Sequence, residues 1–241
     1  MFGLGTLINT GAIILGGMAG LLIGRLLKER HQNSLIAACG VSTMFIAIAG
    51  AMQGMLSVQD GVITSGQTML IVICLTLGTL LGEAINLEDR FERFGEWLKA
   101  KTGNARDKQF VNAFVTTSLT VCIGAMAIVG AIQDGLTGDW STLGAKAVLD
   151  LIIVMVMTCS LGKGCMFSAL PVFLWEGGLT LLSSALRPLM TDAAMGYLSL
   201  VGNVLIFCVG INLVWGKKIR VANLLPAVVF AVIASFLPIT F

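Results

Sequence analysis

Apolar runs about as long as a bilayer crossing alternate along the chain with short polar segments. Runs at 5–24, 35–55, 66–85, 110–133, 142–161, 165–186, 195–215 and 222–240 carry few charges and predict about eight transmembrane helices. Between 86 and 109 the pattern changes. Leu87, Phe91, Phe94 and Leu98 follow a 4, 3, 4 spacing and form one apolar face among charges. Glu88, Asp89 and Glu92 come early and Lys99 and Lys101 late, which suits a helix dipole. This segment predicts an amphipathic helix and loop lying on the inner membrane surface. The fold class is an all-α polytopic membrane protein, one transmembrane domain over 1–241.

Composition agrees with that pattern. Of 241 residues, 56% are hydrophobic and 12% charged, where a soluble domain carries roughly 25% charged residues. So few charges cannot cover a water-exposed surface. A net charge of +2 is too small to point to nucleic acid. Its one histidine, His31, sits in a charged segment and offers no metal cluster. Cys39, Cys74, Cys122, Cys159, Cys165 and Cys208 show no ligand spacing and read as small buried hydrophobes.

Charge placement sets an orientation. Arg25, Lys28, Arg30, the basic residues of 90–108, Lys163, Lys217, Lys218 and Arg220 fall in alternate loops and make up thirteen of the fifteen basic residues. Only Lys146 and Arg187 fall in the other set. By the positive-inside rule the basic loops are cytoplasmic and both termini lie outside. No positive segment precedes the first apolar run, so it reads as an uncleaved helix rather than a signal peptide.

Glycine recurs every fourth residue at Gly16, Gly20 and Gly24, and again at Gly50 with Gly54 and Gly78 with Gly82. Such spacing lets helices approach closely inside a bilayer. It serves internal packing first and a homodimer face second. An echo at an offset of 80 matches 47–53 to 127–133 at five of seven positions, and Leu81-Gly82-Glu83 to Leu161-Gly162-Lys163. Twice that offset lays spans 1–3 on spans 6–8 in opposite orientation, the inverted-repeat arrangement of many secondary transporters.

A charge inside hydrocarbon is costly and marks a pathway or a pair. Gln133-Asp134-Gly135-Leu136-Thr137-Gly138-Asp139-Trp140-Ser141 leads into a span bearing Lys146 and Asp150, four residues apart on one helix face. Two readings stand for it. One is an outer mouth where Asp134, Asp139 and Asp150 attract a cation. The other is a turn capped by Ser141 with one ion pair that fixes packing. In span 6, Pro171 removes a backbone donor, Gly177 and Gly178 weaken the helix again, and Glu176 sits between them as a lone central carboxyl. It reads as a substrate or proton site, or as an acid hydrogen-bonded to a neighbouring helix. Asn9, Thr10, Thr43, Asn203 and Asn212 read as interhelical glue. Glu83 and Lys163 either pair across the bundle or reach the interface separately. No paired histidines, HExxH, GxSxG or P-loop occurs, so the reading is not an enzyme and no cofactor is expected.

Asp134-Gly135-Leu136-Thr137-Gly138-Asp139, then Ser141, Leu143, Ala145-Lys146 and Leu149-Asp150, resemble the central signature of the YqgA/YdfK family. These are bacterial inner-membrane proteins grouped under domain of unknown function 554. Leu81-Gly82-Glu83, Ser168-Ala169-Leu170-Pro171 and Val221-Ala222-Asn223-Leu224-Leu225-Pro226-Ala227 resemble further blocks of that family. The resemblance spans essentially the whole chain. It implies a polytopic inner-membrane protein, often labelled a transport protein without an assigned substrate, and it supports Asp134, Asp139, Lys146 and Asp150 position by position. Glu176 departs from the pattern, where that position is usually uncharged.

The sequence therefore leads to a secondary transporter or channel for a small solute or ion across the bacterial inner membrane, its partner the lipid bilayer. The alternative is a non-transporting scaffold, or a homodimeric partner of another membrane complex.

Overall fold

The structure is a computed structural model that describes residues 3–59, 61–123 and 125–237. In chain order it runs α1 (Leu4–Gly24), α2 (Glu29–Met55), β1 (Leu56–Gln59), β2 (Val62–Ser65), α3 (Thr68–Ile85), α4 (Leu87–Lys101), α5 (Phe110–Cys122) and α6 (Ala125–Thr137). It continues through α7 (Ser141–Leu161), a 3-10 helix (Lys163–Ser168), α8 (Ala169–Leu181), α9 (Ser183–Leu186), a short 3-10 turn (Arg187–Leu189), α10 (Asp192–Trp215), α11 (Val221–Leu224) and α12 (Pro226–Ala234).

Six helical stretches are long and apolar enough to cross a bilayer: α1, α2, α3, α7, α10 and Lys163–Leu181. The pair α5–α6, bent by 62° within the span expected at 110–133, is either a seventh, broken span or a re-entrant loop. The eighth expected span, 222–240, is a shorter apolar helix over Val221–Ala234, and its residues 238–240 lie outside the described residues. The helices that pair most closely do so through small residues. Gly16, Gly20 and Gly24 face Leu151, Met155 and Cys159 in ascending order, so α1 and α7 run parallel. Gly40, Gly50 and Gly54 meet Gly210, Asn203 and Leu200 in descending order, so α2 and α10 run antiparallel. Gly78 and Gly82 meet Ala227 and Asn223, which sets α3 antiparallel to α11 and α12. The glycine stripes are therefore occupied by contacts within the chain.

At Gly20 a Cβ would collide with the carbonyl oxygen of Met155 and lie 2.7 Å from the Thr158 Cβ. Backbone cannot yield as a flexible side chain does. Gly20→Ala is therefore expected to cost about 1–3 kcal/mol through overpacking, read as a lowered unfolding midpoint in detergent. Gly11, with open space around it, is the neutral control.

The amphipathic helix at 86–101 forms, as α4, but its apolar face does not simply lie on a membrane. Phe94 stacks at a tilt on Phe114 of α5, centroid to centroid 5.8 Å, Gly95 backs onto the same ring, and Leu98 is buried. The periodicity gave the helix and its apolar face. It could not say whether lipid or α5 covers that face. The first turn of α4 is clamped to α11 and to the loop that precedes it. The Glu88 N–H donates to Asn223 Oδ1 at 2.7 Å, and the Ala222 N–H donates to Glu88 Oε2 at 3.0 Å. Each side chain thus caps the other's helix start. Lys217 Nζ lies 2.8 Å from Glu88 Oε1 and also contacts Glu92. Glu83 pairs with Arg220 at 3.3 Å, which answers the question of its partner: it is not Lys163.

Partial burial alone would lower the Lys217 pKa, but hydrogen bonds and attraction from Glu88 and Glu92 outweigh it, and the net shift is upward from 10.5. A group whose folded pKa is raised contributes its stability fully below the unfolded value and loses it as pH rises through the folded value. The Lys217 contribution should therefore be constant across neutral pH and fade only in strong alkali. A Lys217→Met variant should lose that alkaline phase in a pH series of unfolding midpoints.

The connection between α2 and α3 is an unexpected hairpin. Leu56 pairs with Ser65 and Val58 with Ile63, and the Ser57 and Thr64 hydroxyls meet at 2.9 Å. The alternating residues around Asp60-Gly61 carry that signal, since Asp-Gly between such runs favours a tight turn.

Candidate functional site

Asn9 of α1, Lys146 and Asp150 of α7, and Glu176 of α8 meet in the half of the bundle where α1 and α7 begin. Lys146 and Asp150 are one helical turn apart, and Lys146 Nζ hydrogen-bonds Asp150 Oδ2. The same ammonium lies 3.5 Å from Glu176 Oε1. Asn9 Nδ2 donates to that oxygen at 2.8 Å. Lys146 is 6% exposed, Asp150 4%, and Asn9 and Glu176 0%. The thiol of Cys122, at the end of α5, lies within electrostatic reach of all three charges. On the α1 N-terminal side the buried hydroxyls of Thr6 and Thr180 meet at 3.3 Å and close the cluster.

The expectation of a lone carboxyl in a helix broken on either side is corrected in two ways. Glu176 has a cation and an amide beside it. It also sits in an unbroken helix. Pro171 falls in the first turn of α8, where the missing N–H has no intrahelical acceptor to lose, and α8 continues through Gly177 and Gly178 to Leu181. The irregular backbone is the 3-10 segment Lys163–Ser168 that precedes α8. Sequence reading could not bring Glu176 to Lys146, because the two sit on different helices thirty residues apart.

The acidic loop takes a different place. Asp134 is fully buried, and its Oδ2 accepts the Gly5 N–H at 2.9 Å, capping α1 from another helix. Asp139 Oδ1 accepts the Ser141 N–H at 3.0 Å, so Asp139 caps α7 and Ser141 does not. That hydrogen bond holds the Asp139 carboxyl below its usual range. Gln133 Oε1 accepts the Thr142 hydroxyl at 2.7 Å. Gln133, Asp134 and Asp139 thus anchor the starts of α1 and α7. No hydrogen bond or ion pair joins them to the Lys146 cluster among the described residues.

Asn9 is the residue that sequence reading undervalued. Its signal was an amide alone in an apolar run, which interhelical glue explains equally well. Asn212 is glue in the expected sense: its Oδ1 accepts the Lys218 and Ile219 N–H groups at 2.8 and 2.9 Å and shapes the turn after α10. No group of three or more metal-binding side chains occurs among the described residues.

The profile of the family described as "Protein of unknown function (DUF554)" matches residues 4–236. The chain belongs to the DUF554 family. It is 28% identical over 232 residues to the "Uncharacterized membrane protein YdfK" of Bacillus subtilis (strain 168), covering 96% of this chain and 95% of that one. It is 29% identical over 232 residues to the "Uncharacterized protein YqgA" of Escherichia coli (strain K12), covering 95% and 94%. No solved structure matches. The DUF554 chain is a polytopic membrane protein in which three buried charged residues, Lys146, Asp150 and Glu176, meet.

Proposed function

We propose that this DUF554 protein is a secondary transporter or channel for a small solute or ion across the bacterial inner membrane, with Lys146, Asp150 and Glu176 as its central site. The observation that carries the reading is the buried cluster itself. Three ionisable groups enclosed among apolar helices cost several kcal/mol each to desolvate. As structural glue such a set is expensive, and an apolar pair of similar size would hold the helices as well. Charges inside a bundle that face one another mark ion and substrate paths.

Helix directions support the same reading. α1 against α8, α2 against α10, and α3 against α12 each run antiparallel, the pairing that an inverted repeat of spans 1–3 and 6–8 requires. The bent pair α5–α6, whose bend adjoins Cys122, supplies a discontinuous helix beside the site. Two recesses open elsewhere in the bundle, and neither is lined by Lys146, Asp150 or Glu176. A polar crevice of about 390 Å³ is lined by Glu88, Lys108, Asn112, Thr116 and Lys217. An apolar cleft of about 690 Å³ runs from Phe91 to Ser118, Cys122 and Trp175. The basic loops face the cytoplasm and both termini face outward. The scaffold alternative loses its main sequence support, because the glycine stripes pack within the chain.

Purified protein in proteoliposomes, screened against small ions and solutes by charge movement on a supported membrane, tests this. Wild type should give a current that Asp150→Asn abolishes. Currents indistinguishable from those of protein-free liposomes, across inorganic ions, amino acids and small organic acids, would overturn the transport reading.

A further inference from the structure

We infer that Glu176 and Asn9 form the binding site for one monovalent cation, a proton or an alkali cation such as sodium, that is the cargo or the coupling ion of the transport proposed above. The inference rests on that reading and adds the chemical class of what is bound.

Charge counting comes first. Lys146 carries one positive charge, and Asp150 and Glu176 carry two negative ones, so the ionised set is one positive charge short of neutrality. None of the three is open to water that could screen the excess. Groups on the surrounding helices do not balance it. α1 offers the neutral Asn9, and α5 offers the thiol of Cys122. α6 offers Asp134, another acid, bound at Gly5 one turn of α1 away. One positive charge completes the cluster, and an anion would double its imbalance.

The free atoms are of one kind. Glu176 Oε1 takes both the Asn9 amide and the Lys146 ammonium. Glu176 Oε2 takes neither and is buried with no hydrogen-bond partner among the described residues. Asn9 Oδ1 is likewise buried without a partner among them. These are two acceptor oxygens on side chains already joined by a hydrogen bond, and buried acceptors of this kind are ordinarily satisfied. A proton on Oε2 turns that oxygen into a donor. A dehydrated alkali cation uses both oxygens as ligands, as hard cations prefer.

Further buried hydroxyls without a partner occur among the described residues. Ser168 lies about two helical turns from Glu176 along α8, toward the basic end. The buried hydroxyls of Ser168 and Ser118 have no partner among the described residues, whereas Thr10, Thr43, Thr79 and Thr120 each donate to a carbonyl four residues back.

The test uses the full-length purified protein and the cation alone. Unfolding midpoints are recorded in sodium, potassium and choline chloride at fixed ionic strength. Infrared difference spectra between acidic and alkaline pH are recorded on the same preparation. A sodium-specific rise in midpoint identifies the alkali cation. A protonated-carboxyl band that disappears at alkaline pH, without a sodium effect, identifies the proton. Either signal should vanish in Glu176→Gln. In Asn9→Ala the sodium affinity should fall about tenfold, as expected for loss of one ligand to a charged group. Should Glu176→Gln not fold, Asn9→Ala carries the comparison. No cation effect and no titrating carboxyl in wild type would overturn the inference, as would either signal persisting unchanged in both variants. Cation binding without flux in proteoliposomes would keep the site and remove the transport reading. Flux with no dependence on cation or on Glu176 would do the reverse.

Discussion

Lys146→Met destabilises the folded protein by about 3–5 kcal/mol, the cost of leaving a buried charge without its partner. The ammonium is the only cation that faces Asp150 and Glu176 among the described contacts, and both acids are enclosed. Without it, two carboxylates must share an apolar pocket in which the Asn9 amide is the donor already bound to Glu176. Both must take up protons or draw in water. Lys146→Met combined with Asp150→Leu removes a charge of each sign and should recover most of the loss, because an apolar pair can replace a buried ion pair at little net cost. Unfolding midpoints of the two single variants and the double variant form a cycle that isolates the pairwise coupling. The double variant also separates stability from function. A transporter should leave it folded but inactive in the proteoliposome current, whereas a purely structural pair should leave the current of the rescued protein intact.

Much of the architecture was legible because a bilayer is a demanding solvent. Span length, the placement of thirteen basic residues and the glycine spacing each reflect one physical constraint, and helix directions in the structure agree with the alternation they predict. The site was legible by residue type but not by grouping. Lys146 and Asp150 lie one turn apart, so local geometry sufficed for that pair. Glu176 and Asn9 reach the pair only through the packing of α1 and α8 on α7, which no local pattern encodes. Asp134 and Asp139 were assigned to an outer mouth because acid clusters near a membrane surface attract cations. A short acidic side chain beside a helix start is also a cap, and the sequence gives both readings the same letters. The structure shows the capping role for both, with Asp134 enclosed and Asp139 exposed. The same ambiguity affected α4, where an apolar face among charges fits lipid and a neighbouring helix equally well until Phe114 and Val111 are seen against it.

Glu88→Ala is the second large effect, expected at about 1.5–3 kcal/mol from hydrogen bonds to a buried charged group. Glu88 is 3% exposed although it belongs to a charged surface helix. One oxygen accepts the Ala222 N–H and the other faces Lys217, while its own N–H is capped by Asn223. Alanine leaves the first turn of α11 without its acceptor and Lys217 with Glu92 alone. Glu88→Gln keeps an oxygen for Ala222 and removes only the charge, so it should lose distinctly less. Hydrogen exchange would locate the difference: in Glu88→Ala the amides at the start of α4 and of α11 should exchange faster together, because each helix start is capped by a side chain from the other. α4 also helps to wall the polar crevice through Glu88 and Glu92, opposite Lys217 on the loop after α10. Loosening this clamp opens the crevice, so the same substitution should change the rate of any flux without touching Lys146, Asp150 or Glu176. A flux rate unchanged in a measurably loosened Glu88→Ala protein would show that α4 holds the bundle together but does not gate it.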